Sequence, residues 1–387
     1  MITIPTLSEI YTGIISDLET KYGSTIPTFG KSFLRALAGV QAGKIWLNYK
    51  VVGFTQKNIF ADTADSELIG GTLERFGRVK LGRNPFPATA GEYVVSVTGT
   101  AGAVIPTSTT FKSDDNSASP GYLFVLDNPY TLTGTSDEIT LRALTSGPES
   151  RLEVGNTLTV TAPIALVNAS VEVTSEDVEP IEAESLEDYR RKVLDAYRLE
   201  PQGGAGADYR LWSFDVSGVR QAYPYAVSGN NNEINLYIES TIAASTDGKG
   251  TSSVMTLDNV RDAIELPQVN RPSRKPLGVF EINYLSIDVK DVSINISGFV
   301  GITPAIETAI ETSIIEELSN VRPFVSSIDI LANKNDIFDT NKIISIILSV
   351  APGSQFGAVT MEVDSIPVSS FTFEGGDIPS LDSISYV

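Results

Sequence analysis

The sequence of 387 residues contains no cysteine and no histidine. Without cysteine there are no disulfides, thiolate zinc sites, cysteine-ligated clusters or thiol nucleophiles. Without histidine the commonest general base, the imidazole ligand and the Ser–His–Asp arrangement are gone as well. Long apolar runs are also missing. The richest, Ile343 to Val350, already contains Ser345 and Ser349, well short of the roughly 18–20 residues of a membrane span. The opening Met1-Ile2-Thr3-Ile4-Pro5 has neither the basic region nor the apolar stretch of a signal peptide. The expectation is a protein made and kept in the cytoplasm unless a larger assembly carries it out.

The 42% apolar and 20% charged residues are those of a soluble globular chain. At this length two to four modules are expected, each with its own core. Net charge is −20, unevenly spread: residues 1–90 carry 10 Lys/Arg against 7 Asp/Glu, a net +3, and the remainder is strongly acidic. An acidic body lacks the positive footprint of nucleic-acid binding. It serves solubility, or it pairs with a basic partner in an assembly.

Periodicity gives four regions. In 1–84, Thr6 and Glu9 form a capping box ahead of Leu7, Ile10, Tyr11, Ile14, Ile15 and Leu18, an apolar helical stripe stopped by Gly23. A second helix is expected from Lys31 to Lys57, with Phe33, Leu34, Leu37, Val40, Ile45, Trp46, Tyr49 and Val52 on a broad apolar face. A third opens at Asp62-Thr63-Ala64-Asp65 and turns Leu68, Ile69, Leu73 and Phe76 inward before ending at Gly77. This module is either a docking element or a self-contained bundle; the pattern leaves both open. In 85–174, alternation predicts strands at 92–97, 108–111, 122–125 and 138–141, with turns at Ala101–Ala103, Asp114–Asn116 and Ser119–Gly121, hence a small all-β sandwich or barrel.

Residues 175–300 begin with an acidic helix, Ser185 to about Arg198, burying Leu186, Tyr189, Val193, Leu194 and Tyr197. Pro201-Gln202-Gly203-Gly204-Ala205-Gly206 breaks it before a helix over 207–214. Strands at 219–225, 233–239 and 280–297 and a helix at 255–265 follow. In 301–387 a helix is expected at 304–319, strands near 358–364 and 370–373, and a tail at 378–386. The run 340–349 reads as strand by its isoleucines and as helix by its place between strands. The fold class is α+β and multidomain: a helical N-terminus, an all-β module, then mixed α/β modules.

No motif points to catalysis or a cofactor. Gly203–Gly206 lacks Gly-x-Gly-x-x-Gly spacing, follows a helix and has no Lys-Ser/Thr behind it, so it reads as a linker. Asp114-Asp115-Asn116-Ser117 fails the calcium-loop pattern, with Ser119 where the loop needs glycine. The carboxylates between Glu172 and Asp195 would suffice for a glycan hydrolase, but in so acidic a chain a solvated helix face is the simpler account.

The ordered joints of the chain resemble the baseplate J-like family, the wedge proteins of Mu-like and other contractile-tailed phages. The resemblance rests on Pro5-Thr6-Leu7 with Ile10, Ser32 with Ala36-Leu37-Ala38, Asp62-Thr63-Ala64 with Leu68, and Phe76-Gly77. It continues through Arg83, Ala88-Thr89-Ala90-Gly91, Thr98-Gly99-Thr100-Ala101-Gly102-Ala103-Val104-Ile105-Pro106 and Gly121-Tyr122. The most specific joint is Glu184-Ser185 with Asp188-Tyr189-Arg190, then Pro201 with Gly203-Gly204, Asp208-Tyr209 with Trp212, and Gly218-Val219-Arg220 with Ala222. Asp377-Ile378-Pro379-Ser380-Leu381 with Ile384 resembles the closing strand. Two positions depart: Arg151 stands where an Asn is usual, and Thr174 to Pro180 replaces a Gly-Gly step.

The resemblance implies a non-enzymatic ring scaffold of the virion tail baseplate, assembled in the host cytoplasm. Its implied partners are a second wedge protein, further copies of itself, and sheath-initiator and hub proteins, with no nucleic acid, membrane or cofactor. N-terminal helices would bundle between chains, which makes Leu7, Ile10, Ile14, Leu18, Leu37 and Trp46 the expected inter-subunit residues. The alternatives are a carboxylate-dependent glycan hydrolase, a carbohydrate-binding tail component, or a solitary β-rich adhesin.

Overall fold

The computed structural model describes residues 4–27, 33–199, 202–269 and 271–386, the Asn231 side chain excepted. The expected helix start at Lys31, the motif residues Ser32 and Pro201, and Met1-Ile2-Thr3 lie outside them. The chain divides into two units, Met1–Asn84 with Tyr189–Leu194, and Pro85–Asp188 with Asp195–Val387.

In the first unit α1 spans Leu7–Tyr22. The Thr6 amide donates to the Glu9 carboxylate at 2.7 Å, the Glu9 amide donates back to Thr6 Oγ1, and left-handed Gly23 closes the helix. The second helix, α2, spans Phe33–Lys57. The third helix differs from expectation. Glu67–Ile69 is only a 3₁₀ turn, Gly70 turns left-handed (φ 89°), and α3 runs Leu73–Lys80. Leu68 and Ile69 face outward, at 96% and 66% exposure. The Glu74 carboxylate explains the break, because it accepts from the Ser66 hydroxyl and the Glu67 amide and staples the turn onto α3. Gly77 lies within α3 rather than ending it.

The acidic helix α4 spans Leu186–Arg198 with Ser185 as its N-cap. Its middle turn completes the first unit, where Tyr189 and Val193 pack with Ala64 and Leu73. Its buried residues are Tyr189, Lys192, Val193 and Asp195; Leu186, Leu194 and Tyr197, expected inside, are exposed.

The second unit begins with a closed barrel. Its strands are β1 Glu92–Thr98, β2 Val104–Ile105, β3 Thr110–Ser113, β4 Leu123–Val125, β5 Tyr130–Thr131, β6 Ser136–Ala143, β7 Thr157–Val160 and β8 Ser170–Val178. Closure follows the order β1-β6-β4-β3-β7-β8, with β2 and β5 paired as a separate ribbon. Every second residue of β1 is inside, so Tyr93, Val95 and Val97 meet Phe111, Phe124, Leu141, Leu158 and Val173. Two register shifts between β1 and β8 supply local curvature where the barrel closes. Tyr93 packs edge-to-face on Phe124 at 5.7 Å, and its hydroxyl accepts from the Leu152 amide at 3.0 Å. Burial pushes that phenol up to about 12.

Next, α5 (Gly206–Ser213) and α6 (Val254–Glu265) pack with a sheet ordered β11-β10-β9: β9 Val219–Val227, β10 Asn230–Ser240 and β11 Glu281–Ser286. The single strand expected over 280–297 is two. At the break Ile287 is buried with Tyr223, Val325 and Ile378, and β12, Asp288–Ile296, continues in a different sheet. There β12 lies between antiparallel β14 (Val359–Val363) and parallel β17 (Asp377–Tyr386). Helix α7 is Pro304–Asn320, β13 is Ile337–Asp339, and α8 is Thr340–Val350; the short strands β15 Ile366–Val368 and β16 Ser370–Thr372 pair with β14 and β13. The ambiguous run is helix: the Asp339 carboxylate caps the Lys342 amide, and Ile343 and Ile347, one turn apart, are both buried.

Candidate functional site

Helices α1 and α2 pack as a pair whose centre is Ile15, Ile26 and Ala38, flanked by Tyr11, Ile14, Leu18 and Leu34. The connection is tied down. The Glu19 carboxylate accepts from the Ile26 amide, and the Arg35 guanidinium donates to the Ile26 and Pro27 carbonyls. Of the six expected interface residues, Ile14 and Leu18 come together, half-buried in this internal contact, and Ile10 is half-buried on the same helix. Leu7 and Leu37 are exposed. Trp46 is half-buried, with the Lys50 ammonium 5.1 Å from its ring centroid.

Away from Ala38 and Ala42, the buried positions of α2, runs a second stripe. Phe33, Leu37, Val40, Lys44, Leu47, Val51 and Phe54 follow one another at steps of 4, 3, 4, 3, 4 and 3. That is the d-a-d-a-d-a-d seam of a coiled coil. All seven are exposed, the six apolar ones between 39% and 76%. Full burial of each would contribute about 1.5–3 kcal/mol, so the seam holds a large unrealised driving force. Reading α2 as one broad apolar face missed it; the 4–3 spacing was the signal.

Elsewhere the loops weighed for ligands are internally satisfied. The Asp208 carboxylate accepts from the amides of Gln202, Gly204 and Ala205, so the glycine loop holds its own anion. Asp114 accepts from the hydroxyls of Thr157 and Thr159 and pins a hairpin loop. Among the described residues no group of three or more Asp/Glu is placed to hold a metal ion. No helix among them is long and apolar enough to cross a membrane. A cavity of about 180 Å³ is lined by Arg198, Arg210 and Arg322, but these already face Asp195, Asp329 and Glu239 respectively.

Arg151 lies between Glu176, at 3.5 Å, and buried Glu179, at 3.2 Å. Glu179 also accepts from the Ser253 hydroxyl. Burial outweighs Arg151 and raises the Glu176 carboxyl above its ordinary 4.5. A carboxyl raised on folding adds stability that is fully present below 4.5 and lost as pH rises through the folded value. Glu176→Gln should therefore raise the melting temperature at pH 7 by about 2 °C and leave it unchanged at pH 4. Calorimetry at the two pH values checks both.

The first unit thus holds a helical pair with an unpartnered seam, and the second a closed six-stranded barrel and α/β modules. Residues 94–179 match the family model described as Baseplate J-like protein barrel domain, and the barrel is of that type. The chain is 26% identical over 223 residues to baseplate protein gp47 of Escherichia phage Mu, covering 57% of this chain and 58% of that one. It is 30% identical over 132 residues to the Mu-like prophage FluMu protein gp47 of Haemophilus influenzae, covering 34% and 35%. The matches thus span about a third to three-fifths of these relatives' lengths. A chain in the cryo-EM structure of the anti-feeding prophage baseplate aligns over 99% of this chain and 100% of its own, at 11% identity and a TM-score of 0.40. A likeness at that level carries no further weight.

Proposed function

We propose that the chain is a structural, non-catalytic wedge subunit of a contractile phage tail baseplate, linking wedges into a ring around the hub. Its setting is the virion tail, assembled in the host cytoplasm, beside a second wedge protein, other copies of itself, and sheath-initiator and hub proteins. The observation that carries the assembly role is the exposed seam of α2. The Baseplate J-like barrel and the gp47 relatives supply the setting. On this reading the functional division runs at 1–84, 85–174, 175–300 and 301–387, with bundling in the first region and polar ring contacts in the acidic remainder.

Leu47 tests this more cleanly than Ile14, because Leu47 is 59% exposed and Ile14 helps hold α1 to α2. Leu47→Asp should leave the circular dichroism spectrum and melting temperature unchanged, since surface substitutions fall within about 0.5 kcal/mol. The same variant should lose co-purification with the structural proteins encoded beside it. Normal co-purification would contradict the proposal.

A further inference from the structure

We propose that Lys342 and Asn335 become joined by an isopeptide bond, with Glu317 carrying the proton. The inference is independent of the baseplate role and rests on three side chains of the C-terminal module.

An amine, a side-chain amide and a carboxylate are the parts that amide exchange needs, and the fold brings one of each to a single point. Lys342 lies in the first turn of α8, and its side chain reaches back past the start of the helix. There its ammonium donates to the Asn335 side-chain oxygen at 2.6 Å and to the Ile337 carbonyl at 2.9 Å. The Glu317 carboxylate, on α7, is 3.1 Å from the same nitrogen. With a C=O bond of about 1.2 Å, the Asn335 amide carbon lies no more than about 3.8 Å from Nζ. Reacting atoms in a near-attack pair stand roughly 3–3.5 Å apart. The amide is also held in place. Its Nδ2 donates to the Asn320 carbonyl at 3.2 Å, and the Asn335 backbone oxygen accepts from the Arg322 amide at 3.0 Å.

The surroundings suit the reaction. Leu318 and Ile343, next to Glu317 and Lys342 in the chain, are buried in the C-terminal core, while Lys342 and Glu317 sit on its rim at 32% and 30% exposure. The core on one side limits the water that competes for the amide. Asn320 and Asn335 line the cavity of about 180 Å³, which gives the departing nitrogen a way out. The step needs no co-reactant. The Lys342 ammonium passes a proton to Glu317, and the amine so formed adds to the Asn335 amide carbon. Glu317 then moves protons from the attacking nitrogen to the departing one. One C–N bond forms, one breaks, the amide nitrogen leaves as ammonium, and Glu317 ends ionised as it began. The new bond closes β13 and the first turn of α8 into a covalent ring.

The test is intact mass spectrometry of the purified full-length chain, fresh and after prolonged incubation. The expected mass is below that of the sequence by one ammonia. Trypsin acting on the denatured chain should no longer cut after Lys342, and the fragment containing Asn335 and Lys342 should carry the whole deficit. Lys342→Arg and Asn335→Ala should each keep the full mass of their sequences. Glu317→Gln should slow the loss by about 10²-fold or more, with circular dichroism showing that the variant is folded. A full mass in folded wild-type chain after incubation overturns the proposal and leaves the three groups as an ion pair and a hydrogen bond only. Ammonia loss that persists in Lys342→Arg belongs to another site and overturns it likewise. Loss at the wild-type rate in Glu317→Gln removes the carboxylate from the reaction and contradicts the mechanism.

Discussion

Replacing Gly77 by alanine should destabilise the N-terminal unit by about 3 kcal/mol, the upper part of the range for overpacking a tight core. A Cβ at this position of α3 would run into the Tyr189 ring and hydroxyl. The ring cannot step aside. It is fully buried, its hydroxyl donates to the Arg83 carbonyl at 2.7 Å, and the Arg83 guanidinium lies 5.7 Å from its centroid. Urea unfolding followed through hydrogen exchange of the α3 amides would read the loss. The double variant Gly77→Ala/Tyr189→Leu should regain part of it, because leucine vacates the space the methyl needs. Wild-type protection in Gly77→Ala would show that α3 and the Tyr189 turn do not pack so closely.

The second large effect is expected at Glu239, a carboxylate only 1% exposed on β10. It accepts from Arg220 and Arg322, each at 3.1 Å, and from the Tyr223 hydroxyl at 2.6 Å. Burial, with this carboxylate alongside, pushes the Tyr223 phenol well above its ordinary value, so the tyrosine stays a donor. Arg322 also donates to the Leu318 and Val321 carbonyls at the end of α7. Arg322→Met should cost about 2–3 kcal/mol, less than breaking a sole buried pair, because Arg220 and Tyr223 stay on Glu239 while the Leu318 and Val321 carbonyls lose their donor. In a double-mutant cycle Arg322→Met and Glu239→Met should cost less together than the sum of their separate costs. Additive costs would mean that Arg322 acts on α7 alone.

How much of this could be read beforehand follows from what each element depends on. Helix α1 is local: its capping box and stop lie within the helix and its immediate flanks, so its bounds were readable. The barrel was readable where alternation was strong, as in β1. Strands β7 and β8 went unread because their exposed positions carry Thr, Ser, Glu and Asp between few apolar residues. The fate of 340–349 depended on neighbours, and so did the break at Ile287. In α4 the expected apolar side failed because Lys192 and Asp195 are buried while Leu194 and Tyr197 are not, a choice set by packing partners far away in sequence. Of the interface residues read from the sequence, Ile14 and Leu18 of α1 lie in the contact between α1 and α2, while Leu37 of α2 belongs to the exposed seam. The free seam lay on α2, and its heptad steps were visible in the sequence all along.

The central claim is that this chain is a baseplate subunit held in its assembly through α2. Cryo-electron microscopy of intact contractile tail particles from cells expressing the gene tests it most directly. The account predicts the six-stranded barrel in the baseplate density, with Val40, Leu47 and Val51 covered by a helix of another chain. Particles with a complete baseplate that lacks this chain, or holds it with the α2 seam open to solvent, would contradict the account.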